Sequence, residues 1–255
     1  MNGLVGVAAP AGIAAIGELE LSVTGPLADS GYLIDITVLD RALREHATGR
    51  FSAAIRAEAL IGVPTDLVAL LAEIGRAVRG SIPVRVVSLH YRMNPFRACL
   101  VRWTSARHPH EKGNDRESID MPEAILTETF EFAASHRLHL PSRSDEENRL
   151  LFGKCNNPNG HGHNYRIEVG CAAEHTPRGF GFADLQELVQ REIMQRFDHK
   201  HLNLDCPEFR DLNPSVENIA RVCHGLLAPA LASRGATLRY VRVWETEKTS
   251  CIYPG

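Results

Sequence analysis

Residues 151–165 read LFGKCNNPNGHGHNY, a cysteine at 155 followed by histidines at 161 and 163. On an extended strand, side chains two apart share a face, so His161 and His163 can converge on one metal ion. Cys155 sits upstream of them in a Gly/Asn/Pro-rich loop. Past the histidines, Tyr165, Ile167 and Val169 keep the same alternation, which predicts a strand with one apolar face. A third imidazole is available from His136, in FAASHRL, at the end of a strand expected over Thr127 to Leu138. It completes the set if the two strands form a hairpin across a long loop from His139 to Asn159. Three neutral imidazoles with a fourth position open are the donor set of a catalytic zinc site, where the metal polarises a substrate oxygen. Cys155 then has two readings: a fourth ligand that closes the site structurally, or a thiol that ionises beside the cation and acts as base or nucleophile.

Two amphipathic segments follow this strand, roughly Phe182 to Phe197 and Ser215 to Leu231, then two more strands, Leu238 to Trp244 and Cys251 to Tyr253. The pattern β-β-α-α-β-β predicts an α+β fold, a four-stranded antiparallel sheet with both helices on one face. Its other face needs a cover, which points to an oligomer. The first half repeats the order: ELELSVTGP, GYLIDITVLDRAL, PTDLVALLAEIGRAV, PVRVVSLHYRM, RACLVRW. Gly31 matches Gly179 and Pro64 matches Pro214 at a nearly constant offset, as an internal duplication would produce. Between the halves, residues 107–121 (RHPHEKGNDRESIDM) are charged and almost free of apolar side chains, the composition of a linker. The expected domains are therefore 1–106 and 122–255.

Bulk properties narrow the partners. The 255 residues carry 28 basic and 31 acidic side chains, a net charge of −3 that gives no footprint for nucleic acid or an anionic membrane. Six scattered cysteines form no disulfide framework, and no apolar run approaches the ~18 residues of a membrane span. The apolar N-terminus lacks the positive region of a signal peptide. A cytoplasmic protein acting on a small molecule is the expectation. Cys171, Cys223 and Cys251, in a predicted strand, helix and strand, read as buried apolar residues.

Other polar clusters have bland and functional readings. In FDHKHLNLD (197–205), Asp198 can orient His199 and stabilise its protonated form, or both can simply end a helix in solvent. Ser215 and Glu217 follow Pro214 at a helix start, where the macrodipole favours a carboxylate. Glu245 follows the apolar run Tyr240 to Trp244, placed either in solvent or to accept two N–H groups of a heterocycle.

In this order, FAASHRL, SDEENRLLFGKCNNPNGHGHNY, FDHKHLNLD, NPSVENIA and VWETEK resemble the 6-pyruvoyl-tetrahydropterin synthase family from about Glu128 to Gly255. The resemblance implies His136, His161 and His163 as zinc ligands, Cys155 as proton acceptor, Asp198 with His199 as a relay, and Glu245, helped by Ser215 and Glu217, as the pterin anchor. The implied reaction converts 7,8-dihydroneopterin triphosphate to 6-pyruvoyl-tetrahydropterin with loss of triphosphate, Mg2+ accompanying the triphosphate. Related 6-carboxy-tetrahydropterin synthases of the queuosine pathway expel acetaldehyde instead, and a non-catalytic pterin-binding scaffold is a further alternative. The family's unit, the tunnelling fold (T-fold), closes its sheet into a barrel on oligomerisation, here a homo-trimer or higher. Its Asp–His pair reaches the zinc across a subunit boundary. The chain departs from the family in CAAEHTPRGFGF, which lacks the acid-rich hairpin turn, and in Ser215-Val216-Glu217, where Thr-Thr-Glu is usual. The first half reads as a degenerate T-fold copy: no His-x-His follows a cysteine, Leu67 stands where Glu217 aligns, and Tyr91 stands near Glu245. Second halves are therefore expected to pack against second halves.

Overall fold

The structure is a computed structural model that describes residues 7–8, 14–15, 17–56, 64–103, 122–173 and 180–254. The chain divides into two compact units, Met1–Leu126 with Ala173–Phe182, and Thr127–Ala172 with Ala183–Gly255. The expected linker, residues 107–121, lies outside the described residues.

In the first unit, strands β1 (Glu18–Thr24), β2 (Arg85–Asn94) and β3 (Arg97–Arg102) pair antiparallel in that order. Leu21, Leu89 and Val101 stand opposite one another across the three strands. Between β1 and β2 runs helix α1 (Ile36–Leu43), capped by Asp35, whose carboxylate accepts from Thr37 N–H. A π-helical stretch, Arg44–Thr48, carries it into α2 (Gly49–Arg56). Helix α3 (Pro64–Ser81) packs on β2 and β3 and buries Leu67, Leu71, Ile74 and Val78 at the i, i+4, i+7, i+11 spacing of one helical stripe. Gly75 on this helix is obligatory, because a Cβ there would stand 2.0 Å from the Trp103 ring.

The second unit holds β4 (Glu123–His136), which begins in the first unit, with β5 (His161–Ala173), β7 (Ala236–Thr246) and β8 (Thr249–Tyr253), neighbours in the sheet order β8-β7-β5-β4. A two-residue strand, β6 (Lys200–His201), adds parallel to β4, Ala134 opposite Lys200 and Ser135 opposite His201. Phe132, Tyr165, Ile167, Val169, Val241 and Val243 turn inward at every second position, and the helices cover them. Helix α5 (Phe182–Val189) continues through a π-helical stretch to Phe197 and buries Leu185, Leu188, Ile193 and Phe197. Helix α6 (Val216–Ala232) packs on β7 and β8 through Ile219, Cys223, Leu227 and Leu231. The observed unit is thus an antiparallel α+β sheet with helices, as expected.

The connection from β4 to β5 is not the open loop the sequence suggested. It contains α4 (Asp145–Phe152), started by a capping box in which Ser144 and Glu147 satisfy each other's backbone N–H groups. A 3₁₀ turn, Gly153–Asn156, follows and carries Cys155.

Candidate metal centre

Three imidazoles meet where β4 ends and β5 begins. His136 is the last residue of β4 and His161 the first of β5, and the ligand nitrogens of His136, His161 and His163 all lie within 4.8 Å of one another. Gly160 permits the approach: its φ is +73°, and a Cβ there would come 2.9 Å from the His136 carbonyl oxygen. Chain packing sets the tautomer of His136. Its Nδ1 stands 2.8 Å from the Pro214 carbonyl, which only accepts, so Nδ1 carries the proton and the Nε2 lone pair faces the other rings. That Nε2 lies 3.0 Å from His161 Nε2. His163 Nε2 and His161 Nδ1 are buried without a hydrogen-bond partner.

An inward ring nitrogen with no partner is costly in a folded interior, and a cation would satisfy it. The electrostatics agree. Burial pushes His136 down to about 4, against the opposing Pro214 hydrogen bond, and burial with the neighbouring His163 pushes His161 down as well. Neutral imidazoles are the form that binds metal. The residues present therefore fit a three-histidine metal site.

Around it stand several further groups. Glu245, on β7, places Oε1 3.3 Å from His136 Nε2 and 3.7 Å from His163 Nε2. Tyr165 is fully buried beneath the cluster, stacked on Phe132 and edge-on to His136 and His163; burial, then the charges of Glu245 and Cys155, push its hydroxyl's pKa up. Cys155 is half-buried and outside the group of converging ligand atoms, so among the described residues the cluster is three-membered. Its carbonyl accepts from Leu138 N–H at 2.9 Å, which ties its turn to the residues just past His136. Cys171 and Cys223 are fully buried as expected, burial raising the thiol of Cys171 to about 12, whereas Cys251 is half-buried rather than core.

Asp198 and His199 form a pre-set pair. Asp198 accepts from Ala133 N–H at 2.9 Å and stands 3.0 Å from His199 Nδ1; these contacts, the backbone bond first, hold its carboxyl below the usual range. His199 adopts φ 58°, uncommon for a residue with a side chain, and is held there by its N–H on the Ala133 carbonyl. Its ring is 83% exposed. A cleft of about 420 Å³ is lined by His199, Lys200 and His201 together with His163, Asn164 and Ser135. Ser215 caps α6 through Asn218 N–H, one residue after the Pro214 that holds His136, while Glu217 is exposed in the first turn. Pro214 and Tyr165 carry no metal-site signature in sequence; only the proximity of Pro214 to a helix start marked it.

Three converging imidazoles and a carboxylate at the adjoining ends of β4 and β5, with the Cys155 turn tied to the residues after His136, define the class: an α+β protein whose histidine cluster could hold a metal. A family model described as 6-pyruvoyl tetrahydropterin synthase matches residues 125–255. The 6-pyruvoyl tetrahydrobiopterin synthase of Homo sapiens is 41% identical over 136 residues, 52% of this chain and 92% of the relative. That of Drosophila melanogaster is 38% identical over 137 residues, 52% of this chain and 81% of the relative. The solved structure of Caenorhabditis elegans 6-pyruvoyl tetrahydropterin synthase is similar at 34% identity with a TM-score of 0.49, over 53% of this chain and 97% of that one. The chain belongs to the 6-pyruvoyl tetrahydropterin synthase family, a family of lyases. Among the described residues no helix is long and apolar enough to cross a membrane.

Proposed function

We propose that this protein converts 7,8-dihydroneopterin triphosphate to 6-pyruvoyl-tetrahydropterin, releasing triphosphate. The observation that carries the reading is the three-imidazole cluster with the His136 Nε2 lone pair turned inward beside Glu245, in a chain of this family. Relatives of 41% and 38% identity bear the corresponding name.

His136, His161 and His163 would hold zinc, which when bound supplies Lewis-acid polarisation of an oxygen on the substrate side chain. Cys155 takes the proton from the hydroxyl-bearing carbon. Asp198 keeps His199 in the tautomer that carries its proton on Nδ1, leaving Nε2 free to pass a proton to and from the side chain. Glu245 accepts two N–H groups of the pterin edge, with Ser215 and Glu217 beside it at the start of α6. Loss of triphosphate and the hydrogen shifts oxidise the side chain while reducing the ring, so no outside oxidant enters. Mg2+ would accompany the triphosphate.

The second domain, 122–255, is the catalytic one and 1–106 a copy of the same T-fold unit kept for assembly. The protein works in the cytoplasm as a homo-trimer or higher oligomer, with the outward-facing His199 of one copy serving the centre of another.

The test is product mass from zinc-loaded protein given the substrate: 6-pyruvoyl-tetrahydropterin with triphosphate is expected, a carboxy product with acetaldehyde overturns the product assignment, and unchanged substrate overturns the enzyme reading. Mixing Cys155→Ala with His199→Ala protein tests the oligomer: recovered turnover is expected, and none places the relay and centre in one copy.

A further inference from the structure

Immediately after His136 the chain leaves the sheet, and residues 137–140 have no strand to pair with. Asparagine side chains take that strand's place. Arg137 N–H donates to Asn203 Oδ1 at 2.8 Å, and Asn203 Nδ2 donates back to the Arg137 carbonyl at 3.0 Å. Leu138 N–H donates to the Cys155 carbonyl at 2.9 Å, and Asn156 Nδ2 donates to the Leu138 carbonyl at 2.7 Å. His139 N–H donates to Asn213 Oδ1 at 3.0 Å. Leu140 N–H donates to Asn148 Oδ1 at 2.7 Å, and Asn148 Nδ2 returns to the Leu140 carbonyl at 3.0 Å.

A side-chain amide offers a donor and an acceptor in the geometry of a peptide group, so each asparagine can act as one rung of a β-ladder. The rungs come from different places. Asn203 follows the Asp198–His199 pair, Asn213 precedes the Pro214 that holds His136, and Asn156 follows Cys155 directly. Of these, Asn156 is the one adjacent in the chain to Cys155, and it bonds to the residues that follow His136. It is 4% exposed, its two side-chain N–H groups go to the Leu138 carbonyl and, at 3.2 Å, to His139 Nδ1, and its main-chain carbonyl accepts from Arg137 Nε at 3.2 Å. The turn that carries Cys155 is thereby fixed at three points to the residues that continue from His136.

We propose that Asn156 is a positioning residue of the reaction centre, its side-chain amide setting the placement of Cys155 relative to the histidine cluster. This rests on the reading of Cys155 as proton acceptor. Placement matters at this scale because proton transfer needs heavy-atom contact of ~3 Å, and a displacement near 1 Å costs on the order of 10²-fold in rate.

The test uses full-length protein with Asn156→Asp, which keeps the shape and removes both N–H donors, and Ser144→Ala, which removes the α4 cap, as a destabilised control. Turnover, bound metal, melting temperature and the pH profile of iodoacetamide reaction at Cys155, followed by peptide mass to separate Cys251, are measured. For Asn156→Asp the expected result is kcat lower by ~10–100-fold, KM within ~3-fold, full metal content and a Cys155 alkylation profile altered at least ~3-fold. Ser144→Ala is expected to melt lower with kcat and alkylation unchanged. An Asn156→Asp protein with wild-type alkylation, or a loss of kcat that Ser144→Ala matches at equal loss of melting temperature, overturns the proposal. Should the wild type fail to turn over the pterin, the enzyme reading falls and the alkylation comparison still decides the role of Asn156.

Discussion

Helices α3 and α6 occupy the same place in the element order of the two units, each starting at or just after a proline and each packed on the two strands that follow it. Three residues beyond Pro64, α3 carries Leu67, 3% exposed; three residues beyond Pro214, α6 carries Glu217, which is exposed. Strands β2 and β7 repeat the contrast: β2 buries Val86 and Leu89 and β7 buries Val241 and Val243, yet β7 turns Glu245 to a histidine cluster while β2 carries Tyr91, ring against Phe51. The difference teaches that the apolar framework and the chemistry are separable. Burial at i, i+2 or i, i+4 suffices for the sheet and helix, and polar groups at the ends of those same elements decide whether a site exists.

The strongest way to break this comparison is to remove a ligand. His163→Ala should lose bound metal and cut kcat/KM by three orders of magnitude or more, about 4 kcal/mol of barrier, whereas His90→Ala in β2 should change neither, as metal analysis and steady-state kinetics would show. A metal loss from His90→Ala would end the assignment of all chemistry to one unit. Next, Cys155→Ala should lower kcat by ~10²–10⁴-fold with metal retained, while Cys99→Ala, in the buried face of β3, should affect melting alone.

A smaller effect comes from acid. His136 takes up a proton near 6.5 in the unfolded chain but near 4 when folded, so protons favour unfolding across that window and stability falls as pH drops through it. Between pH 7 and 5 the metal-free protein should lose about 2 kcal/mol. The two tryptophans, Trp103 and Trp244, lie one in each unit, and single-tryptophan variants should show the Trp244 transition moving further. Equal shifts would mean that the units unfold as one. Smallest is the helix start: Ser215→Ala should cost about 1 kcal/mol and raise KM, while Asp35→Ala at α1 should lower melting slightly and leave KM unchanged.

Much of this was legible beforehand because it depends on short-range pattern. His161 and His163 share a face by the period of a strand, and Ser215 opens α6 because its hydroxyl meets an N–H three residues on. The Gly/Asn/Pro content downstream makes the stretch read as loop and hides the helix over 145–152, although Ser144 and Glu147 hold the spacing of a capping box. Its strand makes Cys251 read as core, yet β8 leaves it half-buried.

By itself the sequence determined the strands and long helices of the second unit, the alternating buried faces of β5 and β7, the family and the identity of the candidate ligands, all of which follow from local periodicity and motif. Only the tertiary structure decided that His136 presents Nε2 rather than Nδ1, that Cys155 stands apart from the ligand set, and that asparagines from four separate stretches replace a missing strand beside it. Those facts depend on groups up to 78 residues apart in the chain meeting in a buried space. No local pattern records such meetings, because the cost of an unpartnered polar group is set only when folding removes its water.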